Sequence, residues 1–236
     1  MIDFNFQKVS HGDTWLMEEI YRIRYQVYCL ETGFLNSLNY PRQLEHDEFD
    51  SGSIHFVALN SHDAVGTVRL VPGSSSDLPI ERHCGISIAH AGAARNEIAE
   101  VSRLAISKKY RRREGDGLLG ISSYIARKGE PAVHGRRRRP EIILGLLREA
   151  YQESKRLGIR YWYAAMEMAL WRLLKKYDFE FIQIGEEVDY YGPVAPYLGD
   201  LSQIEIKVST CNPEMYAFFT HGLEEKLPDP RRLRSR

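Results

Sequence analysis

Residues 45–71 read EHDEFDSGSIHFVALNSHDAVGTVRLV, and the division of this stretch decides the fold. IHFVAL and AVGTVRLV are apolar, β-branched runs joined by Asn60–Asp63, a good turn sequence, which predicts a β-hairpin. The six residues EHDEFD at 45–50 hold four acids and lead straight toward the first of these strands. A short acidic run is most often a solvated loop. Carboxylates that precede a core strand tend instead to be held in place, so their meaning depends on the cations brought to them.

Before the hairpin, FNFQKV alternates as a strand. DTWLMEEIYRIRYQVYCLET then places Leu16, Ile20, Ile23, Val27 and Leu30 three or four residues apart, which predicts an amphipathic helix with Asp13 as N-cap. After the hairpin, residues 73–95 read as a long connection rich in Gly, Ser and Ala, and EIAEVSRLAIS as a strand. Beyond a basic segment at 108–139, PEIILGLLREAYQESKRLG is a helix opened by Pro140 and closed by Gly158. IRYWYAAM, EFIQIG and QIEIKVS read as strands, EMALWRLLKKYDF as a helix, and Asn212-Pro213-Glu214 as the start of a terminal helix. This order predicts a mixed sheet flanked by helices in a single domain, 1–236, with a basic insert at about 111–139.

The 236 residues suffice to bury a proper core. Lys plus Arg equals Asp plus Glu, so no global field selects a nucleic acid or an anionic membrane. The charge is unevenly placed, with arginines crowding 111–113, 136–139 and the tail RRLRSR. Cys29, Cys84 and Cys211 form neither a disulfide framework nor a metal pattern, and the eight histidines show no ligand spacing. No metal site is expected. The N-terminal MIDFNFQKVSHGDTW has no signal pattern, and no run approaches the ~18 apolar residues of a membrane span. A cytoplasmic protein without an integral membrane segment is therefore expected.

Three charged stretches complement the acidic run. RYQVY puts Arg24 and Tyr28 one turn apart on the first helix, and Phe34 follows. GTVRL carries Arg69 on a hairpin strand, and EVSRL carries Glu100 and Arg103 on the next. Positions three apart in a strand point to opposite faces, so Glu100 and Arg103 are not expected to pair with each other. Strand-borne arginines beside fixed carboxylates predict a buried ion network, which is costly to desolvate and hints at more than stability.

The series Arg24…Tyr28…Phe34, E-x-D-x-F-D, G-x-x-R-L-x-P and E-x-S-R resembles the N-acyl-homoserine lactone (autoinducer) synthases over about the first half of the chain. The resemblance implies a GNAT-type α/β (α+β) fold with a mixed, mostly antiparallel central sheet flanked by helices. It implies an N-acyltransferase that moves a fatty acyl group from a thioester carrier to the amine of a small acceptor such as an amino acid. The co-substrate would be acyl-ACP (acyl carrier protein) or acyl-CoA, with no tightly bound cofactor. Carried across residue by residue, it makes Glu100, Arg103 and Arg69 catalytic candidates, with Glu100 as general base. Arg24, Tyr28, Phe34, Glu45, Asp47 and Asp50 become substrate-binding candidates, the acids orienting the acceptor's ammonium and balancing Arg69 and Arg103. In that fold a backbone N–H of the strand carrying EVSRLAIS holds the thioester carbonyl. The family usually has Phe and Trp where this chain has Tyr28 and Phe34.

From RRRRPEIILG to YYGPVAPYL the second half is closer to the N-acyl amino acid synthase and exosortase (PEP-CTERM)-associated acyltransferase branch of the same superfamily. S-adenosylmethionine is accordingly not carried over. RREGDG at 112–117 spells R-x-x-G-x-G, either a coenzyme A pyrophosphate loop or a chance pattern in an Arg- and Gly-rich stretch. Arg111, Arg112, Arg113 and Arg136, Arg137, Arg138, Arg139 are candidates for docking an acidic acyl carrier protein, with a plain solvated surface as the other reading. Zero net charge argues against a nucleic-acid partner. Tyr190, Tyr191 and Tyr197 either line an acyl or acceptor pocket or belong to the core. Trp162 and Cys29 read as core, and His46 as a loop residue without a role. The rival to an enzyme is a non-catalytic module that binds an acyl ligand or a partner.

Overall fold

The computed structural model describes residues 4–10, 12–74, 77–86, 92–111 and 139–223. The R-x-x-G-x-G stretch, the insert expected at about 111–139 and Arg112, Arg113, Arg136, Arg137 and Arg138 lie outside the described residues, as do the side chains of Arg111 and Arg139. The strands are β1 (Phe4–Val9), β2 (Ile54–Asn60), β3 (Asp63–Pro72), β4 (Ile98–Ile106), β5 (Tyr161–Met166), β6 (Ile182–Gln183), β7 (Val188–Asp189) and β8 (Pro193–Asp200). The helices are α1 (Thr14–Tyr25), α2 (Pro79–Cys84), α3 (Lys108–Arg111), α4 (Arg139–Leu157), α5 (Met168–Lys176), α6 (Leu201–Cys211) and α7 (Pro213–Thr220). The strands hydrogen-bond in the order β1-β2-β3-β4-β5-β8-β6, with β7 also beside β8. β4 and β5 run parallel, whereas β1/β2, β2/β3, β5/β8, β6/β8 and β7/β8 are antiparallel. This is the mixed, mostly antiparallel sheet with flanking helices that the sequence predicts.

The chain divides into two compact units, Met1–Leu70 with Ser102–Glu149, and Val71–Val101 with Ala150–Arg236. In the first, α1 starts where the Asp13 carboxylate accepts the Leu16 N–H at 3.1 Å. Its Leu16, Met17 and Ile20 pack with Val9, Val57 and Leu59 of β1 and β2. Phe6 projects from the opposite face of β1. Its ring occupies the space that a Cβ on Gly145 would need, so α4 comes this close through a glycine.

The first helix differs from expectation at its end. From Gln26 to Glu31 it widens into a π-helix, closed by the Thr32 N–H on the Val27 carbonyl at 3.0 Å. The wider turn rotates the side chains that follow. Leu30, which α-helical spacing puts on the apolar face, is 63% exposed, while Cys29 is buried as expected.

β4 is irregular in a way that matters for the site. The Ser107 N–H bonds the Val65 carbonyl (2.9 Å) and the Gly73 N–H bonds the Ile98 carbonyl (2.8 Å). Eight steps along β3, Val65 to Gly73, thus face nine along β4, Ile98 to Ser107. One extra residue in β4 is a β-bulge. Arg103, at φ 53, sits within it, in a left-handed conformation that is unfavourable for a side chain of its size. The rule that residues three apart face opposite ways does not hold across a bulge, so it does not decide where Glu100 and Arg103 point.

In the second unit the expected long connection contains α2, and Val71, Leu78, Ile80, Ile98 and Tyr163 form a buried cluster. QIEIKVS is helix, not strand. The Asp200 side chain accepts from the Ser202 and Gln203 N–H groups and starts α6, which buries Leu201, Ile204, Glu205 and Val208 at helical spacing. Tyr151 and Lys155 hold the buried Glu205 at 3.0 and 2.8 Å. The strand is instead PVAPYLGD, which carries two prolines. Pro196 is tolerated because it falls where β8 changes partner, between its pairing with β6 at Tyr197 and with β7 at Val194. Trp162 is core as expected, its indole donating to the Ser154 hydroxyl at 2.9 Å.

Candidate functional site

The acidic stretch of the first unit is not solvated. Arg24, on the buried face of α1, donates through Nε to Glu45 and through Nη1 and Nη2 to the two oxygens of Asp50 at 2.7 and 3.2 Å. Arg69 of β3 donates through Nη1 to Asp50 (2.8 Å) and Asp47 (2.6 Å). Arg103 of β4 donates to Asp47 (2.8 Å) and Glu45 (3.2 Å). Every arginine therefore bridges two carboxylates and every carboxylate bridges two arginines. The six side chains close a ring, Arg24–Asp50–Arg69–Asp47–Arg103–Glu45, with three positive and three negative charges.

The ring is dry. Arg24, Glu45 and Arg69 are 0% exposed, Asp50 and Arg103 are buried, and Asp47 is the most open member. Burial by itself raises a carboxyl's pKa, but Arg69 and Arg103 around Asp47, and Arg24 and Arg69 around Asp50, outweigh it and hold both acids below the usual range. Asp50 also accepts the Asp47 N–H at 2.7 Å, so the loop is tied to the ring by main chain as well. Glu48 and His46, out of the E-x-D-x-F-D pattern, are exposed.

The bulge completes the ring. Ser102 accepts from Arg69 Nε at 3.2 Å, while its neighbour Arg103 reaches Asp47, the acid that Arg69 also holds. Consecutive residues of an ordinary strand face opposite ways and cannot both meet one cluster. Ser102 and His55 touch the ring from outside and are neighbours that sequence reasoning missed. His55 pairs with Arg69 across the β2/β3 ladder and is buried, with Nε2 3.2 Å from the Asp50 carbonyl. Its position on the α1 face follows from strand alternation once IHFVAL is read as β2.

Burial pushes the His55 pKa down to about 4. A base depressed below its unfolded value near 6.5 stabilises the fold above that value, and the contribution is lost as pH falls toward 4. The depressed carboxylates of Asp47 and Asp50 act lower, their contribution being lost below about 4. Acid unfolding is thus expected in two stages. Thermal melts between pH 7 and 3 should show a first decline between about 6.5 and 4 that His55→Gln removes; a first stage that survives in the variant has another source.

The remaining candidates lie apart from the ring's hydrogen bonds. Tyr28 packs its ring 5.8 Å from the Arg103 guanidinium carbon. Phe34 follows the π-helix, half-buried, its N–H bonded to the Thr32 hydroxyl at 3.3 Å. Glu100 belongs to the second unit, 1% exposed, and its Oε2 accepts the Ile80 N–H of α2 at 2.7 Å. Burial, the main cause, raises the Cys29 thiol to about 11, which keeps it a protonated, buried side chain. Tyr197 is core, stacked on Trp171, whereas Tyr190 and Tyr191 are half-buried, Tyr190 stacking on His83 at 4.1 Å.

Residues 23–120, which span the ring, match the acetyltransferase (GNAT) domain family. The chain is an acyltransferase, similar over these residues to the GNAT type. It is similar to the acyl-homoserine-lactone synthase of Aeromonas hydrophila, 24% identical over 181 residues, 75% of this chain and 76% of that protein. Solved structures agree on the fold. TofI, in a ternary complex with an inhibitor and MTA, matches with TM-score 0.61 at 15% identity over 91% of this chain and all of that one. BjaI, a CoA-dependent acyl-homoserine lactone synthase with SAM and isopentyl-CoA, gives 0.61 at 16% over 92% and 88%. FeeM, an N-acyl amino acid synthase from uncultured soil microbes, gives 0.56 at 14% over 87% and 94%. Among the described residues no helix is long and apolar enough to cross a membrane.

Proposed function

We propose that this chain transfers a fatty acyl group from acyl carrier protein, in preference to acyl-CoA, to the amine of a small amino-acid acceptor. The observation that carries this reading is the closed ring. All four motifs shared with the lactone synthases supply it, from α1, the acidic loop, β3 and β4, and it clamps Arg103 in a strained bulge. Strain of this kind persists only where the surroundings over-determine it, and it concentrates at functional sites. A bulge takes main chain out of the ladder, and a main-chain N–H so released can polarise the thioester carbonyl. Glu100 then takes the proton from the acceptor's ammonium, directly or through a water. The amine nitrogen attacks the carbonyl carbon, the C–S bond breaks, the leaving thiolate takes up the proton that the nitrogen sheds, and the products are an amide and the carrier thiol.

The ring also changes the part assigned to the acids. Each of Glu45, Asp47 and Asp50 already bridges two guanidinium groups. Their role in this proposal is to hold β4 and its bulge, not to receive the acceptor's ammonium. The family match favours catalysis over a non-catalytic acyl-binding module. The test is to incubate the purified chain with long-chain acyl-ACP or acyl-CoA and mixed amino acids, following thiol release and amide products by mass spectrometry. An N-acyl amino acid formed with release of carrier thiol supports the reading, and no thiol release with either donor sinks it.

Donor choice has its own test. Changing Arg111, Arg112, Arg113 and Arg136 to Arg139 to Gln is expected to raise the KM for acyl-ACP several-fold at low salt, with kcat little changed. The effect should shrink with added salt, because charge steering is screened. An unchanged KM at low ionic strength would leave these arginines as a solvated surface.

A further inference from the structure

In the second unit, two carboxylates tie α2 to the chain that forms β4. Gly73 follows β3 and Ile98 opens β4, and the Gly73 N–H on the Ile98 carbonyl at 2.8 Å brings the ends of the connection together. A Cβ on Gly73 would stand 2.7 Å from the Arg95 carbonyl, so the chain entering β4 passes close against it. Within the connection α2 starts at Pro79, which has no N–H, so Ile80 carries the first N–H of the helix. An N–H in that position has no acceptor inside the helix. It donates to Glu100 of β4 at 2.7 Å. In the other direction Glu81 of α2 accepts the Leu78 N–H on Oε2 at 2.8 Å, and Arg95 Nη1 on both oxygens at 2.9 Å. An acid of β4 thus holds α2, and an acid of α2 holds the chain leading into β4.

We propose that Glu81 is a positioning residue for acyl transfer, fixing the first turn of α2 so that the Ile80 N–H holds the Glu100 carboxylate where it takes the acceptor's proton. This rests on the acyl-transfer reading above, with Glu100 as the base. A general base works only within hydrogen-bond reach of its proton, so a small displacement is costly in rate. Leu78 and Ile80 are fully buried, in the cluster with Val71, Ile98 and Tyr163. Apolar burial is non-directional, so it anchors these side chains without setting where the Ile80 N–H points. The bond from the Leu78 N–H to Glu81 sets it, as the returning carboxylate of a capping box does. Arg95 in turn fixes Glu81 from the chain that leads into Glu100's own strand. The Glu81 side chain is 21% exposed and that of Arg95 41%, and a pair so exposed adds little to stability. The contribution of Glu81 is therefore to geometry, and it reads out in turnover and not in melting.

Glu81→Ala in the full chain removes both bonds, whereas Glu81→Gln keeps an oxygen for the Leu78 N–H. Glu81→Ala is expected to lower kcat by about fivefold or more, with both KM values within about twofold. Glu81→Gln should restore at least about half of the wild-type kcat. In a Glu100→Gln background Glu81→Ala should cost less than about twofold further, because two residues that act through one group are not additive. Deuterium exchange of the Ile80 amide, a readout independent of turnover, should be about tenfold faster in Glu81→Ala than in the wild type. Wild-type kcat in Glu81→Ala, unchanged Ile80 exchange, or a Glu81→Gln as impaired as Glu81→Ala overturns the role. So does the full loss recurring in the Glu100→Gln background, a loss carried by KM, or one that tracks melting below the assay temperature. A wild type that transfers no acyl group overturns the acyl-transfer reading and this role with it. A wild type that turns over beside an unimpaired Glu81→Ala overturns this role alone.

Discussion

Asp50→Asn is expected to remove a large share of this protein's stability. Asp50 is the most connected acid of the ring, taking two bonds from Arg24, one from Arg69 and one from the Asp47 N–H. Asn keeps the volume, but it carries no charge and its amide presents N–H donors where Asp50 has only acceptor oxygens. Arg24, with no exposed surface, would then face Glu45 as its remaining anion in the ring, and Arg69 would face Asp47. Removing one partner of a buried pair costs about 3–5 kcal/mol, against a typical total of roughly 5–15 kcal/mol. Chemical denaturation should show the loss, and activity should fall with it. Asp47→Asn should cost less stability, because its side chain is one-fifth exposed, yet lose activity by loosening Arg103. Exposed Glu48 should tolerate Gln within about 0.5 kcal/mol. If Glu48→Gln proved as damaging as Asp50→Asn, the stretch would be sensitive to net charge and the closed ring would explain nothing.

How far these features are legible in the sequence depends on the range of the interaction that sets them. The hairpin, α1 with its Asp13 cap and α4 between Pro140 and Gly158 follow from local period and punctuation, and all are present. QIEIKVS misleads because alternation over seven residues also fits a helix, and the deciding signal, an Asp200 cap, stands outside the alternating run. The π-helix has no such signal, since Leu30 and Cys29 are both apolar and only packing tells which goes inside. The ring's members are legible as charged residues in four motifs, and a buried network among them is the natural reading. Its closure is not legible, because it needs Ser102 and Arg103 on one side of β4. That depends on a one-residue bulge set by the pairing of distant strands. The same bulge undoes the face argument about Glu100 and Arg103, which assumed an unbroken strand.

Glu100→Gln is expected to lower kcat by about a hundredfold or more while leaving the fold intact, the scale on which a positioned general base acts. The side chain is almost fully buried on β4, and one carboxylate oxygen accepts the Ile80 N–H. A Gln carbonyl accepts that bond in the same place, so α2 should stay attached and the melting temperature should change little. What Gln does not do is take a proton. The acceptor reaches the enzyme as an ammonium ion, and its nitrogen has no lone pair for the thioester until the proton leaves. In the proposed reaction Glu100 is the group that takes that proton. The pH profile separates this role from a structural one. In the wild type kcat/KM should show an acid limb, and in the variant that limb should vanish from the residual activity. Near wild-type turnover by Glu100→Gln would mean that bulk water or another group deprotonates the amine. Glu100 would then be retained for its bond to α2, and Glu100→Ala, which breaks that bond, should destabilise the protein where Glu100→Gln does not.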